Sequence, residues 1–274
     1  MKHRMKKMKW ILSAVCFVGL SLASCDQDPE LAILPESGYG QLSLTLGADA
    51  NFVQTRAVTE NTYKDVNNYT VVVKDKDGNE RIKCKGSEIT SKMPLTLPIG
   101  GYTVEAYYGK EQPASRDFFY VFGKAEGSIK ANKTEDVTLT CTPTCGRITV
   151  NFNSEMSEYF SNYNVKFFGT EALGDGSFSW EMADKEPWYV KLAEAGEEIG
   201  FTITTTTKEE YIHDNKESVS VKTGTFKLMR NKAYKMNVNV RYNPTETGDV
   251  SIEITIDEST NDKTVDIEVP VDWV

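Results

Sequence analysis

Apolar residues in this chain recur at every second position, in short runs, and seldom at helical spacing. Leu42, Leu44 and Leu46 alternate with polar residues, and towards the other end Val250, Ile252, Ile254 and Ile256 do the same. Successive side chains of a strand point to opposite faces, so a run of this kind buries one face and wets the other. A helical stripe needs apolar residues three and four apart. Met156, Tyr159, Phe160 and Tyr163 have that spacing after Ser154, a candidate N-cap, and predict one short helix. Hydrophobic residues make up 39% of the chain and aromatics 11%, enough for packed cores. The expected fold class is all-β.

The strand signals follow one another closely. Residues 69–73 and 81–85 flank Asp77-Gly78, a pair suited to a type I′ hairpin because both central positions need positive φ. The surrounding DKDGNE has the flavour of a calcium loop but lacks the further spaced oxygens and the closing Glu, so it reads as a turn. Residues 95–97, 102–108, 118–122, 127–130 and 135–141 continue the series, without a convincing helix between 40 and 142. Past Thr142-Pro143 the pattern restarts at 147–153, 164–168, 177–181, 189–192, 199–206, 218–222 and 234–240. A turn at 243–248 precedes two last runs, 250–256 and 265–273. Pro270 cannot donate a ladder hydrogen bond and places the final run at an edge. The expected organisation is a signal peptide (1–24), an acidic tether (25–37), one antiparallel β-sandwich (38–142), a second (143–243) and a C-terminal β-hairpin extension (244–274).

The N-terminus carries its own signal. MKHRMKKMKW is basic, and the apolar run after it is too short to span a bilayer comfortably. It ends in Leu22-Ala23-Ser24-Cys25, which looks like a bacterial lipobox and makes Cys25 the expected lipidated residue. Attachment to the membrane would then come from the lipid alone. The acidic DQDPE that follows resembles the tether of surface-exposed lipoproteins of the Bacteroidetes, and implies the outer face of the outer membrane. Without the five basic residues of this leader, 26 basic residues face 40 acidic ones, a formal charge of −14. Such a surface repels phosphate, which excludes nucleic acid as the expected partner. Cys84, Cys141 and Cys145 remain. Three is odd, so at most one intramolecular disulfide can form. Cys141 and Cys145 either pair across a turn or serve as small buried hydrophobes.

Catalytic patterns are missing from the sequence. His213 is the single histidine after the leader and falls in a polar run. There is no G-x-S-x-G, no HExxH and no glycine-rich phosphate loop. Acidic pairs such as Glu197-Glu198 carry no signal in so acidic a chain. No cofactor and no metal are expected, and the chain reads as a non-enzyme. One cluster suits binding. Phe178, Trp180, Trp188 and Tyr189 lie within twelve residues of one another, and exposed Trp180, Trp188 and Tyr189 faces would stack on sugar rings. The same residues suit core packing, since Phe178 and Trp180 share a strand face. Trp188, beside Pro187, is the better placed to be outside.

Several segments together carry a resemblance. GYGQLSLTL, TRA, NYTVVVKDKDGNE, LPIGGYTVEA, YVFGKAEGSIKANKTEDVTLTCTPTCGRITVNF and NKAYKMNVNV resemble the Bacteroidales lipid-anchored surface proteins of the domain of unknown function 4493 family. That family is similar in layout to fimbrillin-like proteins, the type V pilins. The likeness implies transthyretin-like sandwiches and a role in adhesion or fimbrial assembly. In fimbrillins a lipidated cysteine is followed by one strand and a loop ending in Arg. A protease cuts after that Arg, and a neighbouring subunit supplies a replacement strand. The matching order here is Cys25, residues 42–46, then Arg56-Ala57, with the C-terminal strand pair as the implied donor and fimbrial subunits as partners. An Arg in a polar loop is also simply solvated, and the C-terminal pair can equally extend the second sandwich. A glycan-binding surface lipoprotein is the alternative.

Overall fold

In the computed structural model the described residues are 38–50, 52, 60–212, 218–243, 249–260 and 263–268. They fold almost entirely as strands. The first group is β1 (Tyr39–Ala48), β2 (Thr70–Asp75), β3 (Glu80–Lys85), β4 (Leu95–Pro98), β5 (Gly100–Gly109), β6 (Ala114–Ser115), β7 (Tyr120–Ile129) and β8 (Thr134–Pro143). The second is β9 (Cys145–Phe152), β10 (Phe160–Phe168), β11 (Ser177–Glu181), β12 (Trp188–Lys191), β13 (Glu197–Thr207), β14 (Val219–Leu228), β15 (Ala233–Asn243), β16 (Asp249–Thr260) and β17 (Lys263–Glu268). Two short helices, α1 (Gly86–Lys92) and α2 (Met156–Tyr159), interrupt them.

Seven strands form one sheet in the order β3-β2-β5-β7-β8-β1-β4. Between β7 and β8 the ladder is short, pairing only Val121 with Pro143 and Phe122 with Thr142. The two halves of the sheet on either side of this ladder share one core, while β3 and β4 remain its two ends. Val71, Val104 and Val121 from one half meet Leu42, Leu97, Val137 and Leu139 from the other in a single buried cluster. A second sandwich lays the four-stranded sheet β11-β10-β13-β14 on the six-stranded sheet β17-β16-β15-β9-β12-β6. Its core holds Ile148, Val165, Phe167, Trp180, Phe201, Ile203, Met236 and Ile254. Two ladders in this otherwise antiparallel architecture are parallel, β1 with β8 and β9 with β15. The two cores are not sealed from each other: Tyr189 of β12 and Ala233 of β15 belong to the first cluster.

Local chemistry accounts for most element ends. The hairpin between β2 and β3 turns at Gly78, which has φ +81°, but Asp77 does not share the positive φ, so the turn is not the expected type I′; the Gly78 amide donates to the Asp75 carbonyl at 2.9 Å instead. The Asp75 carboxylate accepts hydrogen bonds from the Asp77 and Asn79 amides at 2.9 Å each, and Arg81 pairs with it at 2.6 Å. The separate runs expected at 118–122 and 127–130 overlap one continuous strand, β7, from Tyr120 to Ile129.

The helical reading of 156–163 is corrected. α2 is a single turn without a side-chain cap, and the chain is already extended at Phe160. A bulge between Phe160 and Asn162 shifts the strand parity, so Phe160 and Tyr163 both point inward from β10. A bulged strand thus imitated the helical spacing. The helix α1 lacked a periodic signal because Ile89 is its one buried large side chain; an exposed Glu88–Lys92 pair supports it instead.

Candidate functional site

Three places bear on function: the seat of β1, the aromatic cluster at β11 and β12, and the C-terminal strands. β1 is an interior strand. It runs parallel to β8 from the Gln41–Thr134 pairing to Ala48–Cys141, and antiparallel to β4 from Tyr39–Pro98 to Leu42–Leu95. Tyr39 and Gly40 therefore pair with β4 alone, Gln41 and Leu42 with both neighbours, and residues 43–48 with β8 alone. Leu42 and Leu44 are buried and Leu46 packs partly against the same core, which gives the alternation of this run its physical meaning. Gly40 lets the strand enter. A Cβ there would stand 2.2 Å from the Lys130 carbonyl oxygen and 2.9 Å from that of Lys133, so any side chain would push β1 off the turn after β7.

The segment after β1 is also anchored. Ala50 and Phe52 are buried, and the Phe52 ring meets Phe119 edge-on at 5.3 Å and Tyr189 at 5.6 Å. Asn231, in the turn before β15, donates from Nδ2 to the Asp49 carbonyl at 2.9 Å. Arg56 and Ala57, the expected cleavage step, lie outside the described residues, as do Cys25 and His213.

The aromatic cluster is a fastening instead of an open platform. Trp180 and Tyr189 are each 2% exposed, so neither offers a ring face to a sugar. Trp188 is half-buried, and its Nε1 donates to the Ser179 carbonyl at 3.1 Å. Arg116, just after β6, lies over both indoles, 5.1 Å from the Trp180 ring centre and 4.7 Å from that of Trp188. Its guanidinium donates to the Glu186 carbonyl at 2.9 Å and to Asp184. β6 itself adds to the edge of the six-stranded sheet by pairing with β12. A strand of two residues leaves no periodic trace, so the sequence did not announce this link.

The C-terminal pair extends the second sandwich. β16 pairs with β15 along eleven residues, and Ile252, Ile254 and Ile256 are buried in the second core. β17 pairs with β16 and ends the sheet. Residues 269–274, including Pro270, lie outside the described set.

Cys84, Cys141 and Cys145 are buried and form no disulfide. Burial pushes the Cys141 thiol up to about 12, far from the reactive thiolate range. Among the described residues no group of three or more His, Cys, Asp and Glu side chains could hold a metal ion, and no helix is long and apolar enough to cross a membrane.

The chain belongs to the family described as domain of unknown function (DUF4493), whose signature matches residues 38–271. No curated protein matches it in sequence. Solved structures resemble it at low identity. A candidate cell adhesion protein from Bacteroides eggerthii is 12% identical, with 81% of this chain and 96% of that one covered and a TM-score of 0.46. A fimbrial assembly protein from Parabacteroides distasonis is 15% identical, covering 86% and 99%, at 0.42. The fimbrial anchor protein Mfa2 from Porphyromonas gingivalis is 10% identical, covering 82% and 98%, at 0.37.

Proposed function

We propose that this DUF4493 protein is a non-enzymatic subunit of adhesion or fimbrial assembly that works by strand exchange at the seat of β1. It is held at the outer-membrane surface by a lipid on Cys25. In this reading residues 38–142 and 143–243 form its two working sandwiches, the second extended by the C-terminal strand pair. The observation that carries it is the position of β1: the first of the described strands, interior to its sheet, with Arg56 following it in sequence.

The energetics favour exchange over simple loss. A cut after Arg56 that released the preceding segment would strip Leu42, Leu44 and Phe52 from the first core. At ~1.5–3 kcal/mol for each large buried side chain, that removes ~5–9 kcal/mol. A whole domain has only ~5–15 kcal/mol of stability. The backbone edges of β8 and β4 would be bared as well. A slot so costly to leave open demands a new strand, and strand addition satisfies the backbone and the apolar trough together. The buried β16 is poorly suited as that donor, because removing it would open the second core. β17 and the residues after it are the better candidates.

The test is to treat the purified protein with an Arg-specific protease. The expected result is a cut at Arg56, identified by intact mass, followed by oligomers on size exclusion. A chain that resists cutting there, or a cut product that stays monomeric, overturns the reading. Glycan binding through Trp180, Trp188 and Tyr189 has less support, since two of the three rings are enclosed.

A further inference from the structure

The outer face of the first sandwich holds an aromatic strip that neither core uses. β5 and β7 pair antiparallel from Gly100–Ile129 to Gly109–Tyr120. Alternation sends Val104, Ala106 and Val121 inward, and sends Glu105, Tyr107, Tyr120, Phe122 and Lys124 to the other face. The rings of Tyr107 and Tyr120 are centred 6.1 Å apart. Those of Tyr120 and Phe122 are 6.3 Å apart, with planes within 16° of each other. All three side chains are partly exposed, and none belongs to either buried cluster. Three rings thus lie side by side on the outside of a sheet, with Tyr120 near-parallel to Phe122 and tilted 36° from Tyr107.

The border is polar and electrically balanced. Lys74 pairs with Glu105 at 2.6 Å, and Lys191 with Glu111 at 2.9 Å. Lys124 faces Glu105 across the ladder and pairs with Glu126 at 3.6 Å. Burial, with Glu111, Tyr107 and Glu105 nearby, lifts the Tyr120 phenol to about 12, so its hydroxyl remains a donor at physiological pH.

We propose that Tyr107, Tyr120 and Phe122 form a binding platform for a neutral oligosaccharide chain. The C–H faces of pyranose rings pack on aromatic faces, and ring centres about one sugar unit apart suit successive residues of one chain. The phenols, Glu105, Glu111, Lys74 and Lys191 supply hydrogen bonds to sugar hydroxyls. Because each carboxylate already has its ammonium, the strip does not select a charged ligand. A row of three rings is also small beside the ~800 Å² per partner of a stable protein interface, which favours a small ligand over a protein. This platform is separate from the seat of β1, and it stands or falls without strand exchange.

Affinity electrophoresis of the purified protein through gels containing xyloglucan, galactomannan, laminarin or dextran tests it. At least one polysaccharide is expected to retard the wild type. Tyr107→Ala and Phe122→Thr should each weaken retardation by about fivefold to tenfold, the scale of one lost ring contact. Tyr107→Phe, which keeps the ring, should stay within about twofold on the same scale, and Trp188→Ala should change nothing. Phe122→Thr keeps a strand-forming residue opposite Thr142, so a folded variant is available even if Tyr107→Ala unfolds. The proposal is overturned if no polysaccharide retards the protein, or if the Tyr107→Ala/Phe122→Thr double variant migrates like wild type. It is equally overturned if the strip instead joins two copies, seen as a dimer that Phe122→Thr dissociates.

Discussion

Asp75 illustrates how one side chain can define a turn. Burial disfavours its charged form, but hydrogen bonds from Asn79, Arg81 and the Asp77 amide outweigh that and hold its carboxyl at about 2, against an ordinary 3.8. A depressed carboxylate stabilises the fold above its unfolded value and stops doing so as pH falls through its folded value. The contribution of Asp75 should therefore be complete above about pH 4 and fade between about pH 4 and 2. Asp75→Asn should lower the thermal midpoint at pH 7 and leave it close to that of wild type at pH 2. Equal deficits at both pH values would rule this out. The Asp-Gly pair made the turn legible in the sequence. That Arg81 would reach back to Asp75 was not, because the contact depends on the register of β2 on β3.

Among the elements, β14 shows how an exposed edge is kept harmless. It is ten residues long, ends the four-stranded sheet and carries two outward valines, Val219 at 45% and Val221 at 46% exposure. Such an edge is a template for pairing with another chain. Lys222 points inward from the same strand and is only 5% exposed, and burial lowers its ammonium below the usual lysine value. An inward-pointing charged residue is one of the devices that blunt an edge against pairing with another chain. Lys222→Leu should therefore give concentration-dependent self-association by sedimentation velocity, where the wild type stays monomeric. A monomeric variant at the same concentrations would remove Lys222 from this role. β14 also runs well past the expected 218–222. In its second half Phe226 and Leu228 are buried and alternate with exposed Thr225 and Lys227, and the strand pairs with β13 along its whole length.

For the molecule as a whole, the links between the two cores matter most. β6 crosses to the six-stranded sheet, Arg116 clamps the two indoles, and Phe52, Phe119 and Tyr189 pack as one group. The described cores should unfold together, as one calorimetric transition whose measured and van't Hoff enthalpies agree. Arg116→Ala removes a partly buried ion pair and two ring contacts, about 2 kcal/mol in all. That corresponds to a midpoint lower by about 4–8 °C for a chain of this size. Two resolved transitions in the wild type, or an unchanged midpoint in the variant, would count against the coupling. Alternation alone determined that the chain is all-β, where most strands lie and which of their faces are apolar, because a strand's period of two is written residue by residue. Pairing partners were decided by the tertiary structure. The parallel placement of β1 on β8, the merging of β16 into the second core, the parity shift in β10 and the enclosure of Trp180 and Tyr189 all depend on residues distant in sequence meeting across a ladder. No local pattern specifies which neighbour a strand will find.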